Sequence, residues 1–125
     1  MPFDWLNYLD LAEDLCGTGP PCSNQEAKQR AGISRAYYAV YCLARNHMLV
    51  RDHQGFPQNV NEHEHLIQYF SIDMSPVRQE IGSKLSTLRR QRNRADYRDR
   101  YVDLQKQVPV CLGDAIDIVH DLSTL

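Results

Sequence analysis

Between Lys84 and Tyr101 the chain reads KLSTLRRQRNRADYRDRY, with one lysine and six arginines (Arg89, Arg90, Arg92, Arg94, Arg98, Arg100) against Asp96 and Asp99. This stretch carries plus five in a chain of net charge minus two, so the remaining residues carry minus seven. Guanidinium forks match the oxygens of a phosphodiester, and the charge that develops on it during cleavage, better than lysine does. Ile81, Leu85, Leu88, Arg92 and Ala95 recur at steps of 4, 3, 4 and 3, the apolar seam of an amphipathic helix. Arg92 therefore stands where an apolar residue belongs, with Asp96 one turn on and within its reach. A guanidinium on such a seam is costly to bury unless it is paired or faces a cleft or another chain. Two readings follow. In one, Arg92 and Asp96 form a buried ion pair that fixes helix packing. In the other, Arg92 and Asn93 contact a phosphate, with Asp96 and Tyr97 orienting it or moving protons. Asn93 and Tyr97 stack four residues apart on one flank, beside Arg89 and Arg100 as supporting charges. Arg90, Arg94 and Arg98 read as a solvated basic face.

Other chemistries find less support. His63-Glu64-His65 puts two imidazoles at i and i+2, about 200° apart on a helix. No HExxH occurs and no Cys/His set has zinc spacing, so no metal or cofactor is expected, and the histidines read as solvated helix-face residues. There is no Gly-x-Ser-x-Gly elbow, and Ser34 and Ser83 fall inside predicted helices without a nearby base. Neither GxGxxG nor GxxxxGK[ST] is present. Tyr37, Tyr38 and Tyr41 read as core and interface. Cys16, Cys22, Cys42 and Cys111 have no CxxC pair and read as reduced, mostly packed thiols.

Helices must position these residues. The chain has 125 residues, 42% hydrophobic and 24% charged, the balance of a single globular domain over residues 1–125. No apolar run approaches the roughly 20 residues of a membrane span, and the acidic opening MPFDWLNYLD lacks a basic signal n-region, so a cytoplasmic protein is expected. A first helix is predicted from about Asp4 to Leu15, with Trp5, Tyr8, Leu9, Ala12, Leu15 and Cys16 on one face. GTGPPCSN, residues 17–24, is a loop. A long helix should run from Asn24 to Val50, greasy on two sides and so central, with Arg35 and Arg45 on or near its second seam and unassigned. A short helix is expected over Val60 to Phe70. Ser75 as N-cap and Pro76 at the first position start the arginine helix, which ends near Tyr97. The last helix covers Asp103 to Leu122, with Val108, Leu112, Ala115, Val119 and Leu122 inward and Pro109 as a kink or break. With no credible strand, this is an all-α, up-and-down bundle of four principal helices plus a short extra helix.

SRAYYAVYCLAR (34–45) followed by LRRQRNRADY (88–97) resembles the HEPN domain, best in its small stand-alone prokaryotic members. With the DWLNYLDLAEDL opening and the closing helix, the resemblance covers most of the chain. It implies a helical bundle that dimerises. It also implies a cleft shared by both protomers, in which an arginine and a histidine four to six residues on cleave RNA without metal through attack of the 2′-hydroxyl. Many such proteins are toxins paired with a nucleotidyltransferase antitoxin, and others are inactive nucleotide- or RNA-binding partners. Arg92 and Asn93 match the start of that motif. Its histidine is missing: Asp96 and Tyr97 stand there, and the next histidine is His120. An ordinary aspartate is too acidic and a tyrosine too basic to replace a histidine at neutral pH. The resemblance thus implies a homodimer that contacts RNA at Arg92 and either cleaves it with a degenerate motif or acts as a non-catalytic module for a nucleotidyltransferase partner or a nucleotide.

Overall fold

Ser75 and Pro76 begin the arginine helix as their types dictate. The Ser75 hydroxyl accepts from the Arg78 amide, and proline, which has no amide hydrogen to leave unpaired, takes the first position. In the computed structural model, which describes residues 3–17 and 24–125, this helix is the fourth of five. The order is α1 (Leu6–Leu15), α2 (Gln25–Asn46), α3 (Glu62–Ser71), α4 (Pro76–Tyr97) and α5 (Leu104–Ser123), with no strand among the described residues. The fold is an all-α bundle. The loop expected over residues 17–24, with Pro20, Pro21 and Cys22, lies outside the described residues except at its two ends.

The centre of the bundle is α2, which packs against α1, α4 and α5, as its two greasy seams require. Ile33, Ala36, Tyr37, Ala39, Val40 and Ala44 have no exposed surface. Each large apolar side chain so buried contributes about 1.5–3 kcal/mol relative to an exposed one. Small residues set the approach distances. A Cβ added at Gly32 would run into Cys16 Sγ and lie 3.2 Å from the Ala12 carbonyl oxygen, so any other residue here would make the Cys16 side chain move and crowd α1. One at Gly82 would lie 2.7 Å from the Ser71 backbone nitrogen, which locks the end of α3 onto α4. Ala31, one residue before Gly32, is exposed.

The long helix does not run to Val50 as α-helix. After Asn46 the backbone widens into a π-helical turn, His47–Arg51, closed by the Asp52 amide on the His47 carbonyl at 3.1 Å. The wider turn brings His47 and Met48 inward together. α3 begins two residues later than expected because Asn61, whose side chain accepts from the Glu64 amide, is its cap. Pro109 neither breaks nor ends α5, which is continuous through it. The buried face of α5 is Leu104, Val108, Cys111, Ala115 and Ile118, while the expected Leu112, Val119 and Leu122 are only partly buried.

The end of α4 is held from a distance. Arg30 on α2 donates to the carbonyls of Ala95, Arg98 and Asp99, satisfying acceptors that a helix C-terminus otherwise leaves open. Tyr101 turns back inside and donates to the buried Gln91 side chain. The arginine-rich segment is therefore pinned to α2 at Ala95 and beyond, immediately after Arg92 and Asn93.

Candidate functional site

Arg92 occupies the seam of α4, as its spacing predicts. Ile81, Leu85, Leu88 and Ala95 are buried around it, and its own side chain is 14% exposed. The guanidinium is braced by four side chains. Nε lies 2.9 Å from the Asp96 carboxylate but makes no aligned hydrogen bond to it, so that contact is an ion pair rather than a fork. One terminal nitrogen donates to Asn93 Oδ1 at 3.1 Å and the other to the Tyr38 hydroxyl at 2.6 Å. The Tyr38 and Tyr97 rings lie 4.9 and 5.5 Å from its central carbon, within cation–π range. Each terminal nitrogen keeps a second hydrogen without a partner among the described residues, enough for two hydrogen bonds to an oxyanion.

The neighbours of Arg92 on α2 were not legible as a site. The Ser34 hydroxyl donates to Asp96 at 3.1 Å, so this serine does have a carboxylate beside it, contrary to the sequence reading. Arg35, left unassigned from sequence, sits over the rings of Tyr8 and Tyr38 at 5.0 and 5.2 Å, and no carboxylate pairs with it among the described residues. Arg45 lies over Trp5 in the same manner, at 5.7 Å. Two guanidiniums thus lie against the Tyr38 ring, Arg35 and Arg92, and Asp96 pairs with the second of them. A spacing rule within one helix could have flagged Arg35 and Tyr38, but not that α4 meets them.

The remaining sequence-predicted residues divide into two places. Arg89 and Asn93 line an open groove of about 450 Å³ between α3 and α4, with Arg90 and Gln68. Arg89 is 3.7 Å from Glu64 across this groove. Tyr97 stands 71% exposed at the end of α4. Arg100 is not beside Arg92. It lies past the end of α4, in a separate small cleft with Arg94 and Arg98. Arg90, Arg94 and Arg98 are exposed, as a solvated basic face requires.

Two histidines correct the expectation of solvated helix-face residues. His63 is half-buried, its Nδ1 2.7 Å from the hydroxyl of the fully buried Tyr37, and its ring stacks on Tyr41 with centroids 4.1 Å apart. Burial, then the guanidiniums of Arg89 and Arg92, push its pKa below the usual histidine value, against the pull of Glu62. Burial also raises the phenols beside it: Tyr41 is pushed up to about 12 and Tyr37 higher still, so both stay protonated. His47 is buried at the π-helical turn, with Nε2 3.6 Å from Asp52 and 3.4 Å from Arg78. Asp52 also accepts from the Tyr69 hydroxyl at 2.8 Å and is paired with Arg78 at 2.8 Å. These four side chains tie the π-helical turn to α3 and α4.

Among the described residues no three His, Cys, Asp or Glu side chains converge as a metal would require, and no helix is long and apolar enough to cross a membrane. Cys42 and Cys111 are buried and Cys16 is half-buried, all as free thiols. No family model, curated protein or solved structure matches the chain.

Proposed function

We propose that this protein is a HEPN-type homodimer that binds RNA through the Arg92 site and cleaves it by attack of the 2′-hydroxyl on the adjacent phosphorus, with charge supplied by arginine rather than by metal. The observation that carries this reading is the state of Arg92. A guanidinium set in an apolar seam, braced by Tyr38, Asn93, Asp96 and Tyr97, is pre-oriented, and it keeps a donor free on each terminal nitrogen. Fixed donors of this kind stabilise a phosphorane-like transition state without reorganising. Arg35, without a carboxylate partner among the described residues, adds a second cation at the Tyr38 ring. The exposed phenol of Tyr97 offers a face on which a base can stack. The surface that joins Trp5, Tyr8, Arg35, Tyr38 and Arg45 has the aromatic and arginine composition of protein interfaces, which supports a dimer with its two Arg92 sites close together.

A second reading has its own support. Asp96 pairs with Arg92 where the resemblance leads one to expect a histidine, and a paired arginine suits a non-catalytic module that docks a nucleotidyltransferase or holds a nucleotide. In the first reading the protein is the toxin-like half of such a pair, and in the second it is the inert half.

Salt dependence separates contact from coincidence. Binding of a fluorescent oligoribonucleotide should weaken linearly in log Kd against log salt. Arg35→Ala and Arg89→Ala should each reduce the slope by about 0.7, the value for one phosphate contact on a single strand. A slope that neither variant changes would remove these arginines from the interface.

A further inference from the structure

We propose that His63 is the proton-transfer residue of the Arg92 site, supplied by α3 rather than by the arginine helix. The inference rests on the ribonuclease reading above and adds to it the group that the sequence of α4 lacks. The geometry is specific. The His63 ring is stacked on Tyr41, tilted 19° and centred 4.1 Å away, and it stands edge-on to Tyr38 at 6.2 Å. Tyr38 is the same ring that carries the Arg92 guanidinium at 4.9 Å, so both groups border one aromatic side chain. In the proposed complex, the ribose attached to a phosphate on Arg92 extends across the Tyr38 ring towards the imidazole.

The tether defines what the ring can do. Tyr37 is fully buried, and its hydroxyl has His63 Nδ1 as its partner at 2.7 Å. The phenol donates to Nδ1 in one neutral tautomer; in the other the hydrogen is on Nδ1, the phenol oxygen accepts it with its own hydrogen turned away, and Nε2, which has no partner among the described residues, is left as a base. Nε2 removes the 2′-hydroxyl proton as O2′ bonds to phosphorus and the bond from phosphorus to O5′ breaks. O5′ takes a proton from water, and the hydroxide formed takes the proton back from the imidazolium. The products are a 2′,3′-cyclic phosphate and a 5′-hydroxyl, and His63 ends as it began.

The charged and titratable groups around the ring set its working pH. Tyr37, Tyr38 and Tyr41 face it from α2, Glu62 precedes it on α3, and Arg89 and Arg92 face it from α4. Burial first, and then the two arginines, disfavour the imidazolium in the free protein, so His63 is neutral and able to accept a proton at pH 7. A bound phosphate offsets their charge and raises the basicity of the ring when substrate is present.

The test uses wild type, His63→Gln and Tyr37→Phe, with two readouts. Binding is measured with an oligoribonucleotide whose 2′-hydroxyls are replaced by hydrogen, and single-turnover cleavage of the unmodified RNA is followed from pH 5 to 9. Expected is binding by His63→Gln within about 3-fold of wild type, with cleavage slower by about 10²-fold or more and the rising limb of the pH–rate profile gone. Tyr37→Phe keeps the imidazole but not its tether, and should move the midpoint of that limb. Cleavage by His63→Gln at the wild-type rate with the wild-type pH profile would overturn the proposal. So would wild-type protein that binds RNA and leaves it intact at every pH, which spares the binding reading. Absence of binding by wild type would instead sink the reading on which the proposal rests. If His63→Gln is shown by circular dichroism to be unfolded, Tyr37→Phe decides, and an unmoved limb overturns the assignment.

Discussion

Arg92→Ala should lower RNA cleavage by about 10²–10³-fold while leaving helicity and dimerisation intact, the cost of removing one pre-oriented donor from an oxyanion site. The same substitution tests the structural reading of this arginine. Truncation leaves the Asp96 carboxylate with the Ser34 hydroxyl as its partner, but that side chain is 27% exposed and water can replace the lost cation. The expected loss of stability is therefore modest, about 1–2 kcal/mol, and resolvable by urea titration. Arg92→Lys should keep the charge yet recover little activity, because an ammonium cannot reach Asn93, the Tyr38 hydroxyl and a phosphate together as the planar fork does. Unfolding of Arg92→Ala in parallel with its loss of activity would mean that the ion pair with Asp96 is structural.

The largest effect on stability should come from Asp52→Ala. This carboxylate is 18% exposed and gathers the Tyr69 hydroxyl, the Arg78 guanidinium and His47 around itself. Arg78 is 15% exposed, and without Asp52 its nearest carboxylate is Asp73 at 3.9 Å. Breaking such a pair leaves an uncompensated, largely buried charge, with an expected cost of about 3 kcal/mol at pH 7 by urea or thermal unfolding. The cost should depend on pH. Burial raises the Asp52 pKa, but the hydrogen bonds from Tyr69 and Arg78 outweigh it and leave the value below the usual 3.8. A depressed folded-state pKa contributes stability above the unfolded value, and this is lost as pH falls through the folded one. The gap between wild type and Asp52→Ala should therefore close only below about pH 3.8. His47 acts in a higher window. Burial first, and then Arg78 and Arg51, lower its pKa from the ordinary 6.5 despite Asp52, and His63 is lowered as well. Their contribution is complete above pH 6.5 and declines as pH falls from there towards their folded pKa values. Wild-type Tm should accordingly be flat from pH 7 to 8 and drop between 6.5 and 5, before carboxylates titrate. A gap insensitive to acid, or a cost under about 1 kcal/mol, would show that Asp52 is solvated.

What could be read in advance was local. The steps from Ile81 to Ala95 put Arg92 on the seam of α4, and Asp96 falls within its reach because four residues make about one turn. Ser75-Pro76 fixed the start of α4 through a cap and a missing amide hydrogen. The double seam of α2 made it the centre of the bundle. What escaped the sequence was every contact between helices. His63 looked like a solvated residue on a short helix because nothing in EHEH says that α3 turns it onto Tyr37 and Tyr41. Arg35 had no visible partner because its partners are ring faces, one of them on α1. Arg100 was placed beside Asn93 and Tyr97 as a supporting charge, but the chain leaves α4 at Tyr97 and turns so that Tyr101 can enter the core, which carries Arg100 elsewhere. The π-helical turn at His47 leaves no mark on hydrophobic periodicity, since one extra residue in a turn shifts a pattern that ends there.

The most direct test is chemical analysis of the ends formed when the purified protein meets tRNA and mRNA in EDTA, with Arg92→Ala in parallel. The proposed mechanism predicts fragments from wild type alone, every cut leaving a 2′,3′-cyclic phosphate on one fragment and a 5′-hydroxyl on the next. Fragments ending in a 3′-hydroxyl, or equal cleavage by Arg92→Ala, would contradict attack by the 2′-hydroxyl at an Arg92 site. Intact RNA with a confirmed dimer would make the protein the non-catalytic module.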